Sequence, residues 1–264
     1  MLNILVLMAG RGLRFADQGY SVPKPLINVN GKTILQWTTE SCPYIKHNQG
    51  DQDETVNLSF AVLKEHQNNG LDDFLKAVYG QRINIVSFEE ITRGNLETAS
   101  VACKAMLHGE SPLLILDSDN KYDHNDIDLF LKTVSVENNA MAICCFEDQN
   151  KSLPNKWSNA KVENGIAKGI KEKDDSWINE PSLIGVFYFS TLNQFKNYAK
   201  FILEKQRPLS IKGKDEYYMS MIPTYHADAG KPVHVHFVKS VVSLGTPSDV
   251  ELFRNSENKF DICI

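Results

Sequence analysis

The 264-residue chain has no apolar run near the ~20 residues that a membrane span requires. It contains no internal repeat and no low-complexity segment, which sets solenoids and disordered tails aside. Positive charge is not in excess: 28 Lys and Arg stand against 33 Asp and Glu, a formal net charge of -5. That balance argues against non-specific nucleic-acid binding, which leaves a basic footprint. It does not exclude a nucleotide, because local cations decide that. Cysteine is sparse, and Cys42, Cys103, Cys144, Cys145 and Cys263 match no metal spacing. They read as buried thiols behaving as small hydrophobes. The seven histidines show no zinc spacing either, and no Ser–His–Asp or Cys–His arrangement stands out. The apolar start at residues 2–9 is too short for a secretory leader, with Arg11 and Arg14 following at once, so a cytoplasmic protein is expected.

What is present is ordinary in amount, 42% hydrophobic and 23% charged residues, and unusual in placement. The apolar run Leu2–Met8 reads as a buried first strand. It is followed by Ala9-Gly10-Arg11-Gly12-Leu13-Arg14-Phe15 and then by Pro23-Lys24-Pro25-Leu26. The glycines let backbone N–H groups approach an anion, and Arg14 and Lys24 add two cations to the same loop. Two standard phosphate loops are absent. A dinucleotide fingerprint fails at Phe15, where its third glycine belongs, and no G-x-x-x-x-G-K-[ST] string exists. The remaining pattern suits a polyphosphate beyond the carboxyl end of a strand in an open α/β sheet.

Strand-like and helix-like runs alternate through the first half, up to a strand at Ala140–Phe146. This predicts an α/β fold with a doubly wound, mostly parallel, Rossmann-like sheet. Shorter strands at 160–162, 166–170 and 183–189 predict a smaller mixed or antiparallel region, with Glu163-Asn164-Gly165 as a turn. Helices are expected at 192–204, 215–227 and 247–254, and a strand at 233–238. The chain reads as a single domain, residues 1–264, with a nucleotide-binding part at about 1–150 and an acceptor-binding part at about 151–264.

A second constellation ends the strand Leu113–Leu116: Asp117-Ser118-Asp119-Asn120. Two carboxylates two residues apart share a face of an extended chain. Beside a phosphate loop they suit Mg²⁺, which takes one or two carboxylates plus phosphate and water. Thr92-Arg93-Gly94-Asn95-Leu96-Glu97-Thr98 lies between a strand and a helix and reads equally as a helix start capped by Thr92 or Asn95. Lys171-Glu172-Lys173, Asp215-Glu216-Tyr217-Tyr218 and Ser243-Leu244-Gly245-Thr246-Pro247 complete the set.

Together these strings resemble the sugar-1-phosphate nucleotidylyltransferases, the enzymes that make activated sugars, over nearly the whole chain from Leu2 to about Phe253. The resemblance implies Mg²⁺-dependent transfer of a nucleotidyl group from a nucleoside triphosphate to a sugar 1-phosphate or similar small phosphate ester, releasing pyrophosphate. It implies catalytic roles for Arg14, Lys24 and Asp119, and nucleotide contacts from Ala9, Gly10, Arg11, Gly12, Gly94, Glu97, Thr98 and Asp117. Acceptor contacts fall to Lys173, Glu172 and Glu216, and the metal to Asp119 and Asp117. The expected partners are the triphosphate and the phosphorylated acceptor, with no nucleic acid and no membrane, and a homo-oligomer left open. Short relatives serve surface-polysaccharide pathways. One departure stands out: the family's second metal-binding Asp is Ser243 here. Either Asp117 or water replaces it, or the nucleotide holds the metal, or catalysis is weakened. Two rival readings follow: a glycosyltransferase of the same superfold using Asp117-Ser118-Asp119 as its D-x-D, and a catalytically impaired regulatory homologue.

Overall fold

The computed structural model describes residues 1–260 apart from 49, 136–139, 150 and 152. Nine strands build one sheet: β1 (Leu2–Met8), β2 (Val56–Leu63), β3 (Asn84–Phe88), β4 (Leu113–Asp117), β5 (Met141–Phe146), β6 (Ser158–Glu163), β7 (Ile166–Glu172), β8 (Ser182–Phe189) and β9 (His234–Phe237). Their spatial order is β3-β2-β1-β4-β8-β5-β9-β7-β6. The strands β3, β2, β1 and β4 run parallel. Then β8 enters antiparallel to both β4 and β5. Beyond β5, β9 is parallel and β7 and β6 are antiparallel. The sheet is therefore mixed, which corrects the expectation of a mostly parallel one. The parallel half comes from strand–helix alternation, and the antiparallel half from the tight β6–β7 hairpin and the returning β8.

Helices cover both faces of the sheet, and this explains why β1 is apolar without a break from Ile4 to Met8. Ile4, Val6 and Met8 pack with the helices Ile34–Thr39, Leu71–Tyr79 and His124–Val134. Leu5 and Leu7 pack on the other face with the helices Asn95–Lys104 and Leu192–Lys205. A smaller core of Phe15, Ile27, Val29, Ile34, Leu244, Val250 and Phe253 ties the glycine loop to the helix Pro247–Phe260. Cys42, Cys103, Cys144 and Cys145 are buried free thiols, as expected, and burial pushes Cys42 and Cys103 up to about 12. Cys263 lies outside the described residues.

The turn at Asn164-Gly165 forms as predicted, with both residues at positive φ joining Glu163 to Ile166. The helix predicted over 215–227 does not form as such. Residues Leu209–Ile211 and Lys214–Glu216 make a hairpin, and the helix spans Met221–Asp228. The cause is a competing set of backbone bonds. Tyr217 N–H donates to the Arg93 carbonyl at 2.7 Å, and Leu96 N–H donates to the Tyr217 carbonyl at 3.0 Å. Those bonds hold the chain extended through 217 and delay the helix.

Candidate active site

The loop after β1 is open where a ligand would need it to be. A Cβ on Gly10 would meet no atom within 4 Å. Gly12 caps the short helix Leu13–Ala16 in the left-handed region, φ 65°, and a Cβ there would press on Lys24 Cβ at 3.0 Å. Arg14 is exposed and has no ion-pair partner among the described residues. Arg11 leans away, its Nε 3.5 Å from Glu65 Oε1, with both side chains about half exposed and the pair accordingly weak. Ala9, at the start of the loop, packs against the core.

Lys24 begins a 3-10 turn, Lys24–Leu26, that sets its side chain against the end of β4. Lys24 Nζ lies 2.6 Å from Asp119 Oδ2. Asp117 ends β4 on the same side. Burial, and then the adjacent Asp119 charge, push the Asp117 carboxyl well above the usual carboxylate range, against the pull of Lys24. Gly185 in β8 makes this placement possible. Its φ is 75°, and a Cβ there would overlap the Asp117 carboxylate. Asp119 is fixed from behind, its carbonyl accepting from Leu244 N–H at 2.7 Å. Asn120 pairs in register with Ser243 on the short strand Val241–Ser243, and Ser243 lines the larger cavity together with Asp117 and Asp119. Its hydroxyl donates to Asp249 Oδ2 at 3.3 Å and accepts from Gly245 N–H at 3.4 Å.

On the other side of Asp117, Glu172 ends β7 with its carboxylate nearly buried. It accepts from the Ser220 hydroxyl at 2.6 Å and also from the Ser158 hydroxyl. Lys173 follows with φ 48° and places Nζ 4.4 Å from the centre of the Tyr218 ring and 3.5 Å from Glu172 Oε1. Burial, and then Glu216 beside it, push the Tyr218 phenol well up.

Two cavities meet at the carboxylates. One, of about 230 Å³, is bounded by Gly10, Gly12, Lys24 and Pro25. The other, of about 770 Å³, runs past Arg14, Glu172, Lys173, Glu216 and Ser243. Asp117 and Asp119 line both. Gly94, Glu97 and Thr98 line neither, and their neighbour Asn95 lines the larger one. Gly94, φ 136°, is where the 217 backbone comes too close for any Cβ. Glu97 is held by Arg93, with the shortest contact 2.6 Å, and the Thr98 hydroxyl meets that of Thr92 at 2.6 Å.

Sequence reasoning missed Ser158 and Ser220, the hydroxyl partners of Glu172. Gly185 carried a readable signal, a glycine interrupting an apolar strand.

No family model matches the chain. Solved structures do match it along its full length. A nucleoside-diphosphate-sugar pyrophosphorylase from Vibrio cholerae RC9 is 18% identical, with a TM-score of 0.73, covering 97% of this chain and 100% of that one. The inositol-1-phosphate CTP transferase of T. maritima is 17% identical, with a TM-score of 0.67, covering 99% and 98%. A UDP-glucose pyrophosphorylase complexed with UDP-glucose is 14% identical, with a TM-score of 0.71, covering 98% and 99%. The chain thus has the nucleotidyltransferase fold.

Proposed function

We propose that the protein is a nucleotidylyltransferase that joins a nucleoside triphosphate to a small phosphate ester of the sugar 1-phosphate kind. The observation that carries this reading is the meeting of two open cavities at Lys24, Asp117 and Asp119. One cavity has an uncluttered glycine loop for a triphosphate, and the other has Lys173 and Glu172 for an acceptor. In the reaction, an oxygen of the acceptor phosphate attacks the α-phosphorus. The bond from that phosphorus to the bridging oxygen breaks, and its electron pair leaves with pyrophosphate. Little covalent work falls to the protein, and alignment and charge neutralisation supply the rate.

The backbone N–H groups of Gly10, Arg11 and Gly12 and the Arg14 guanidinium hold the β- and γ-phosphates. Lys24 turns from Asp119 to the charge that develops at the α-phosphate. Lys173 holds the acceptor phosphate, and Glu172 and Glu216 face its hydroxyls. Gly94, Glu97 and Thr98 would act on the base side only indirectly, by holding the loop that carries Asn95 into the larger cavity.

The donor set fits Mg²⁺. Two carboxylates crowd together with one lysine as the close cation, and a hard divalent ion bound by oxygen would relieve that crowding. No group of three or more His, Cys, Asp or Glu among the described residues is placed to hold a metal ion, so water and phosphate would complete the shell. The ion would neutralise the phosphates at Asp117 and Asp119. Ser243, bonded to Asp249, would take part through its hydroxyl or a bridging water.

The test is thermal stabilisation by each of ATP, CTP, GTP, UTP and dTTP with and without Mg²⁺, followed by pyrophosphate release with a panel of sugar 1-phosphates. A ligand at about 100 times its Kd adds ~2.7 kcal/mol. One triphosphate should stand out and lose its shift in Arg14→Ala. If no triphosphate shifts the transition, the reading is wrong.

A further inference from the structure

The wide half of the cleft carries lysines beyond the one that an acceptor phosphate would occupy, although its carboxylates match its cations in number. Lys156, Lys212 and Lys214 line it together with Lys173. The first three are exposed, and none has an ion-pair partner among the described residues. Four of the nearby carboxylates are already engaged. Glu172 accepts from two serine hydroxyls, Asp174 pairs with Lys171 at 2.8 Å, Asp175 accepts from Asn155 N–H at 2.7 Å, and Glu216 lies against the Tyr218 phenol.

The backbone adds a second, separate observation. Among the described residues, the non-glycine positions with positive φ are Asn30, Asn48, His108, Asn164, Lys173 and Lys212. Asparagine tolerates that conformation, and lysine does so poorly. Both lysines, at φ 48° and 52°, line this one cleft. Lys212 also holds the first central position of a two-residue hairpin turn, where Asn, Asp or Gly is favoured. A disfavoured residue held in such a turn points to use of its side chain.

Resting on the nucleotidyl-transfer reading, we propose that the natural acceptor is a phosphate monoester bearing a second anionic group, a carboxylate or a second phosphate. Lys156, Lys212 and Lys214 hold that group at the cleft mouth while the attacking phosphate lies at Lys173. The second group takes no part in bond making.

Equilibrium binding and pyrophosphate release are measured at low salt for glucose 1-phosphate, glucuronic acid 1-phosphate and glucose 1,6-bisphosphate. One of the two doubly anionic esters should bind at least about fivefold more tightly than glucose 1-phosphate. Preference for the uronate identifies a carboxylate, and preference for the bisphosphate a phosphate. The ratio should fall to about one in the double variant Lys212→Gln, Lys214→Gln, and persist in Lys212→Arg, Lys214→Arg. Absence of any preference, or a preference that survives the glutamine variant, overturns the inference. Preferential binding with no pyrophosphate release from any ester upholds it and fails the transfer reading. Release from glucose 1-phosphate with equal or better binding does the reverse.

Discussion

Asp117 sits where an ionised carboxylate is disfavoured, and that has a measurable sign. Its folded-state pKa is raised, so an unfolded chain ionises it first and stability is lost as pH rises from about 4 through the folded value. Asp117→Asn should therefore raise Tm at pH 8 by a few degrees, since about 1 kcal/mol corresponds to ~2–4 °C in a chain of this size, while turnover falls. A lowered Tm would show that Asp117 is not crowded. Lys24→Ala should cut kcat by about 10²–10³, the usual loss when one preorganised charge-stabilising donor is removed. Circular dichroism should show the fold intact, and near-normal turnover would remove Lys24 from the mechanism.

Arg14, Lys24 and the two aspartates were legible because charge, glycine and a strand end fall within short strings. Glu172's serine partners were not, because Ser158 and Ser220 come from segments 14 and 48 residues away from it. Nothing in either string marks that contact.

Among the elements, β1 is the same in sequence and structure, because its apolar run Leu2–Met8 is unbroken but for Asn3. The segment after residue 208 is not, because local propensity lost to a distant partner. Asp215 and Glu216 look like the acidic first turn of a helix, yet Gly94 brings another backbone against Tyr217 and keeps the chain extended. Gly94→Ala should force those strands apart, through both its φ of 136° and the overlap with Tyr217. A loss of more than about 2 kcal/mol in urea unfolding is expected, with a larger effect on acceptor binding than on triphosphate binding. Equal stability in that variant would mean that the 93–96 and 217–219 pairing is dispensable. The capped helix Ile34–Thr39 offers a control at the same scale. Thr33 forms a reciprocal capping box with Gln36, and Thr33→Ala should cost about 1 kcal/mol with no change in substrate preference.

For the molecule as a whole, buried histidines set the acid limit. Burial lowers the pKa of His47, His66, His226 and His236. His66 Nδ1 and His236 Nε2 have no hydrogen-bond partner among the described residues, so protonation in place would bring a charge without an acceptor. Above about pH 7.5 these groups are essentially neutral folded or unfolded and contribute little slope. Below it the unfolded chain takes up protons first, and Tm should fall more steeply than in a His66→Gln, His236→Gln variant. Parallel slopes in the two proteins would assign acid sensitivity elsewhere.

The position of β8 has a consequence for synthesis. Strands β4 and β5 are separated in sequence only by the helix His124–Val134 and its connections, yet they never touch, because β8 lies between them. While the chain is being made, the apolar edge of Leu113–Leu116 stays unpaired until residue 189 has left the ribosome, a further 43 residues after β5 ends at Phe146. That interval is the window in which a nascent chain of this fold is open to strand pairing with its neighbours on a polysome. Ribosome-bound chains halted before β8 is complete should accordingly cross-associate or recruit a chaperone more than chains halted beyond residue 189, well before the C-terminal helix is made.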